Sequence, residues 1–271
     1  MSEKNLQKKR IDEVLVEREL ATSRSESKRL IIEGLVFLNG NIVQKSSTSV
    51  SEEDIISIKE PRKYVSRGGI KLEFALDEFK VSPKDKVAID IGSSTGGFTD
   101  CLLKLNAKKI YAVDVGAGQL DLSLRNDPRV VVLEKVNARN LSIKIIQEQA
   151  DLIVMDVSFI SITKILPALK TLLKDNGLII SLVKPQFEGE RSFLRKGVIK
   201  DKELHKKILL NTIEQIVKMG FIVNRMTFSP IKGGKGNIEF FFLIKKVGDF
   251  VNLSDVNKIV EEIWEKIGLK K

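Results

Sequence analysis

Apolar residues along this chain follow two different rhythms. Ile11, Val14, Leu15 and Leu20 recur at helical spacing, and Ser23 stands where it can cap a second helix carrying Leu30, Ile31 and Ile32. Gly34 ends that helix. Short apolar runs at 36–38 and 42–43 then flank Asn39-Gly40, a pair suited to a two-residue hairpin because both turn residues need φ above zero. A strand over 54–58 closes a small α+β unit, assigned to residues 1–59. The stretch 60–66, with Pro61 and several charges, reads as a linker.

Beyond it the rhythm becomes strand, helix, strand. Short β-rich runs occupy 86–90, 109–114, 129–133, 151–156 and 178–183, and helical patterns fall at 97–105, 119–124, 143–148, 160–173 and 202–219. Such alternation predicts an α/β, Rossmann-like domain over 67–271, with a mostly parallel sheet covered on both faces. Two last strands, 222–229 and 238–245, are expected to pair antiparallel at one edge, making seven. Residues 254–267 read as an amphipathic helix.

Charge adds a partner class. The chain of 271 residues carries 46 Lys and Arg against 36 Asp and Glu, a formal net charge of +10, which favours a polyanion such as nucleic acid. Residues 1–62 hold eleven basic and eleven acidic side chains, so the excess lies after them. Even so, Lys8, Lys9 and Arg10, then Arg24, Lys28 and Arg29, cluster in sequence away from Glu52, Glu53 and Asp54, which suggests a one-sided basic face. Cys101 is the one cysteine and cannot form an internal disulfide, which suits a reducing compartment. With no apolar run of about 18 residues and no apolar leader core, the expectation is a cytoplasmic protein with no membrane association, monomeric or weakly oligomeric.

Candidate chemistry starts at AIDIGSSTGGFTD. Asp90 closes a strand, and Gly92, Ser93, Ser94, Gly96, Gly97 and Phe98 form a loop that opens a helix. The spacing is neither G-x-G-x-x-G nor a P-loop, so a pyrophosphate cradle is disfavoured. Asp114, followed by Val115, ends the next strand, where a carboxylate can accept from a ribose diol. Asn137-Ala138 follows the third strand and could border an adenine. These features describe an adenosine-bearing cofactor without a phosphate cradle, and S-adenosyl-L-methionine fits. Four more ionisable residues stand at strand or helix ends: Lys71, Asp156, Lys184 and Glu239. A partly desolvated lysine beside carboxylates is a candidate base or charge stabiliser, although a structural ion-pair network would leave the same spacing. His205, the sole histidine, offers no ligand cluster and reads as structural or surface.

The four residues resemble the Lys-Asp-Lys-Glu tetrad of FtsJ/RrmJ-type ribose 2′-O-methyltransferases. SRGGIKL, DIGSSTGGFT, VDVGAGQL, DVSFIS, LVKPQFE and GNIEFFF, taken in order, resemble the TlyA family, historically called haemolysins, and the first unit resembles its S-four RNA-binding domain. The resemblance implies methyl transfer from S-adenosylmethionine to a cytidine 2′-hydroxyl in ribosomal RNA, free or in ribosomal subunits, with no metal. Lys184, steered by Asp156, would then accept the proton or stabilise charge, with Lys71 and Glu239 orienting. Phosphate contacts are expected from Arg10, Arg24, Lys28 and Arg29, and further RNA contacts from Arg67, Lys135, Arg191, Arg195 and Lys196. The linker carries Arg62-Lys63-Tyr64 where one relative in the family has a tryptophan. Two other readings stay open: a non-catalytic RNA-binding or ribosome-assembly protein, and a cytolysin.

Overall fold

The computed structural model describes residues 8–32, 34–59, 63–190, 197–199, 201–233, 236–249 and 253–268. The chain divides into two compact units, Met1–Arg62 and Lys63–Lys271. In the first, β1 (Lys9–Arg10) and α1 (Ile11–Glu17) precede α2 (Arg24–Ile32), β2 (Val36–Leu38), β3 (Asn41–Ile42), β4 (Ser49–Val50) and β5 (Ile56–Ile58). Ser23 Oγ accepts from the Glu26 N–H at 3.2 Å and so caps α2. Asn39 and Gly40 take φ of +49° and +82°, the twist that lets Phe37 pair with Ile42 across the hairpin. Ile11, Val14, Leu15, Ile31, Val36, Val43 and Val50 form the core. Leu20 is not part of it, because α1 stops at Glu17 and leaves Leu20 36% exposed.

The second unit runs α3 (Arg67–Phe79), β6 (Val87–Ile91), α4 (Gly97–Lys104), β7 (Lys109–Val113), α5 (Leu122–Arg125), β8 (Val130–Leu133), α6 (Ile143–Ile146) and β9 (Ala150–Met155). It continues with α7 (Leu166–Leu169), β10 (Leu173–Val183), α8 (Pro185–Glu188), α9 (Lys202–Lys218), β11 (Ile222–Phe228), β12 (Phe240–Lys245) and α10 (Leu253–Gly268). Seven strands form one sheet in the order β11-β12-β10-β9-β6-β7-β8. Side chains alternate between its faces: Ile89, Ile91, Phe240 and Phe242 join one core, and Ala88, Val154 and Phe241 the other. The run of three phenylalanines thus covers both faces. After β8 the chain returns to the other side of β6, so the order reverses between β6 and β9, and ligands of such sheets bind at the carboxyl ends of the strands beside that reversal.

The last two strands do pair antiparallel at one edge, but the strand that runs against the rest of the sheet is not the outermost: β12 pairs antiparallel with both β10 and β11, and β11 is the edge strand. The α9 crossover overshoots by one place, and the hairpin from β11 fills the gap. The helix expected over 160–173 is a 3-10 turn at Ile162–Lys164 followed by α7. Side-chain capping by Ser161 and Pro167 at the start of α7 break the helix, and Leu173 is already paired with Ala150 in the sheet. The helix expected over 119–124 begins only at Leu122, where Asp121 caps it. Tyr64, read as linker, is 3% exposed and packs with Leu72, Phe79 and Phe98 in the larger unit. No helix among the described residues is long and apolar enough to cross a membrane.

Candidate active site

Asp90 lies in β6 and is fully buried. Its Oδ2 accepts from Thr99 Oγ1 at 2.6 Å, whereas Oδ1 has no partner among the described residues. Burial pushes this carboxyl up to about 7. The loop above it depends on glycine twice. Gly92 has φ +80° and a Cβ there would stand 2.5 Å from the Asp156 carbonyl oxygen, while Gly96 has φ +96° and a Cβ would collide with Leu124. Asp114, at the end of β7, accepts from the Ser94 N–H at 2.8 Å and from the Gly116 N–H at 2.7 Å, so it shapes the loop as well as facing the cavity. That cavity, of about 500 Å³, is walled by Gly92, Asp114, Val115, Asn137, Ala138 and Asp156, together with apolar side chains. Asn137 also caps a short turn by accepting from the Arg139 N–H at 3.1 Å.

A second cavity of about 310 Å³ shares Gly92, Ser94, Asp156 and Ser158 with the first and adds Ser93, Gly97, Phe98, Arg67, Lys71 and Lys184. A third, of about 920 Å³, shares Ser158 and Lys184 with the second and reaches Glu188 and Glu239. The fold brings the four singled-out ionisable residues together here as two ion pairs. Lys184, just after β10, lies 2.6 Å from Asp156 Oδ1, just after β9, and donates to Ser158 Oγ at 3.0 Å. Lys71, on α3, donates to Glu239 Oε2 at 2.6 Å. A side chain at Gly233 would collide with the Glu239 carboxylate, so the loop before β12 closes directly over it. Lys184 is thus wedged between the second and third cavities, with both neighbours fixed by adjacent strand ends.

Sequence reasoning missed Ser158 and Glu188. Ser158 stands two residues past the strand-end acid in DVSF, and that spacing was the available signal. Glu188 is joined to Ser161 by a contact that no local pattern announces.

Among the basic candidates, Arg10 clasps Asp12 through Nε and Nη2 at 3.0 and 3.2 Å, and Arg24 bonds Asp12 and Glu13 at 3.0 and 3.1 Å. Asp12 is fully buried, and the Arg10 guanidinium foremost holds its carboxyl down at about 2. With Lys9 also paired to Glu17, the expectation of a one-sided basic face fails: acids of α1 sit among those cations. Lys28, Arg29, Arg67 and Lys135 are exposed, and Arg29 pairs with Glu26. Arg191, Arg195 and Lys196 lie outside the described residues. His205 is 1% exposed, between Phe240 and Trp264 at 5.9 Å from each. Burial lowers its pKa to about 4, so it is an uncharged core residue rather than a surface one. No group of three His, Cys, Asp or Glu among the described residues could hold a metal ion.

A parallel sheet with one reversed strand, carrying a glycine loop at its switch point, defines a Rossmann-like methyltransferase. A model of the FtsJ-like methyltransferase family matches residues 64–246, and one of the S4 domain matches residues 9–56. The chain is 40% identical to the 16S/23S rRNA (cytidine-2'-O)-methyltransferase TlyA of Mycobacterium tuberculosis, over 89% of this chain and 91% of that protein. It is 47% identical to Hemolysin A of Brachyspira hyodysenteriae, over 85% and 97%. A solved structure of a candidate hemolysin from Streptococcus thermophilus superposes with a TM-score of 0.75 at 38% identity, covering 98% of each chain. The chain belongs to the TlyA family, in which an S4 domain precedes an FtsJ-like methyltransferase domain.

Proposed function

We propose that this protein methylates the ribose 2′-hydroxyl of a cytidine in ribosomal RNA, in the cytoplasm, using S-adenosyl-L-methionine. One observation carries the reading: Lys184, its partner Asp156 and Lys71 line a cavity that shares a wall with the glycine-loop cavity, and Lys71 is paired to Glu239. Membership in the family and the activity named for its Mycobacterium tuberculosis relative support the same chemistry.

The cofactor fits the residues present. Asp90 Oδ1, buried and without a partner among the described residues, suits a positively charged or amine-bearing ligand. Gly92 and Gly96 hold backbone turns that a side chain would block, and the mostly apolar cavity beside Asp114 has the size and polarity of an adenosine site. Asp90, Gly92, Ser93, Ser94, Gly96, Gly97, Phe98, Asp114, Val115, Asn137 and Ala138 would hold it. Bound there, it supplies an electrophilic methyl group on a positively charged sulfur.

The chain's own contribution lies at the ribose oxygen. As that oxygen bonds to the methyl carbon its proton passes to water, and the charge that develops on the oxygen must be held in check. Lys184 Nζ donates to Ser158, lies within ion-pair range of Asp156, and lines the cavity that would receive the 2′-oxygen. A pre-oriented cation there stabilises developing negative charge without reorganising. Lys71, locked to Glu239, fixes the opposite wall. RNA is gripped by Arg10, Arg24, Lys28 and Arg29 on the S4 unit and by Arg67, Lys135, Arg191, Arg195 and Lys196 on the methyltransferase unit.

The test is direct. Purified protein, methyl-labelled cofactor and ribosomal subunits from cells lacking the gene should yield 2′-O-methylcytidine at a discrete position. No label in either subunit or in free ribosomal RNA would end this reading.

A further inference from the structure

Four residues past Lys184 stands an acid that the chemistry above leaves idle. Glu188 Oε2 accepts from Ser161 Oγ at 2.5 Å, and Oε1 accepts from the Ile162 N–H at 3.1 Å. Ser161 in turn contacts Thr163 Oγ1 at 2.7 Å and accepts from the Thr163 N–H at 3.2 Å. No cation is paired with Glu188 among the described residues, and desolvation pushes its carboxyl up to about 7. A half-buried carboxyl on a cavity wall, fastened by neutral donors alone, is a costly arrangement. Its place explains the cost. The turn it grips, 161–163, ends the segment that carries Asp156 and Ser158 out of β9, and Glu188 itself ends the short helix opened by Lys184 and Pro185. Both polar contacts of Lys184 Nζ lie on the first segment and Lys184 on the second.

We propose that Glu188 is a positioning residue, tying the loop after β9 to the loop after β10 and so setting Lys184 Nζ against Asp156 and Ser158. It borders the same cavity as Lys184 and Glu239 and acts through Lys184. The proposal rests on the methyl-transfer reading above. Misplacing a reacting group by about 1 Å can cost roughly a hundredfold in rate, so a loosened clamp should appear in turnover before it appears in binding.

The experiment compares Glu188→Ala and Glu188→Gln in the full chain, measuring turnover on ribosomal subunits, KM for the subunit, cofactor affinity by calorimetry and the melting temperature. Gln keeps an acceptor for the Ile162 N–H and a polar partner for Ser161. Glu188→Ala should lower kcat at least about tenfold while KM and cofactor affinity stay within about twofold, and Glu188→Gln should recover most of the loss. Unchanged kcat in Glu188→Ala, or a loss that follows melting temperature alone and that Gln does not relieve, overturns the clamp. If Glu188→Ala fails to fold, Ser161→Ala removes one of the two bonds; it should lower kcat with melting retained, and unchanged kcat there overturns the proposal. An inactive wild type, by contrast, refutes the methyl-transfer reading and the clamp with it.

Discussion

Asp12 in the S4 unit is fully buried, yet its partners Arg10 and Arg24 keep 45% and 53% of their side chains in water. Around the candidate active-site cavities both members of each pair are withdrawn: Lys71 and Glu239 are 11% and 3% exposed, Lys184 and Asp156 10% and 24%. The difference sorts the two clusters by use. A half-exposed guanidinium has five donors and can anchor to an acid on one edge while offering the other to a phosphate. A buried amine gives up that freedom, and desolvation makes its pair costly unless the geometry is good. In return it is held still in a low-dielectric site, which suits stabilising charge at one atom. Under the proposed function, the first cluster would grip and the second would react.

The largest expected effect tests the second half of that contrast. Lys184→Ala should keep the fold and cofactor affinity but lose about 10²–10⁴-fold in turnover, whereas Arg10→Gln should raise KM for the subunit with kcat nearly intact. A Lys184→Ala enzyme with near-normal kcat would put both clusters in the same class and remove the assigned chemistry.

Next comes the stability of the other buried pair. Lys71→Ala leaves Glu239 buried without its cation and should cost about 3–5 kcal/mol in denaturant unfolding. Replacing both, as Lys71→Met with Glu239→Leu, should restore most of that stability but not turnover. Restored turnover in the double variant would mean that the pair serves folding alone.

A smaller effect follows from Asp90. Its carboxyl titrates near 7 in the fold because burial penalises the charged form. A folded value above the unfolded one means that the native state binds this proton more tightly, so Asp90 favours folding as pH falls from 7 toward 4. Cofactor binding runs the opposite way, since a positively charged ligand prefers the ionised acid. Affinity measured by calorimetry should weaken about tenfold from pH 8 to pH 6, and Asp90→Asn should flatten the profile. A flat wild-type profile would remove Asp90 from the cofactor site.

The repeating units of the fold were legible because three strands of the parallel sheet, β7, β9 and β10, are apolar runs followed at once by a charged residue: Asp114, Asp156 and Lys184. Those three positions follow from periodicity, since a buried strand ends where a polar residue can emerge, whereas Asp90, expected to close its strand, lies inside β6 with Ile91 after it and is fully buried. Less legible was whatever tertiary contact decides. Residues 160–173 have helical apolar spacing, yet Pro167 and the pairing of Leu173 with Ala150 override it. Charge clustering misled in the S4 unit because sequence distance hides that Arg24 reaches back to Asp12 and Glu13. The Glu188–Ser161 clamp spans 27 residues and leaves no local trace.

That reach-back sharpens the smallest prediction. Arg24 spends Nη1 on Glu13 and Nη2 on Asp12, whereas Arg10 holds Asp12 through one edge only and keeps Nη1 out of that clasp. Lys28 is exposed on the same helix as Arg24. Each full phosphate contact contributes about one unit to the slope of log affinity against log salt. Removing Lys28 or Arg10 should therefore lower the slope of subunit binding by about one, and Arg24→Gln by distinctly less, because its charge is already shared between two acids. Equal losses for Arg24 and Lys28 in filter binding across a salt series would show that internal pairing does not ration these cations, and the S4 cluster would then have to be read as a uniform basic surface.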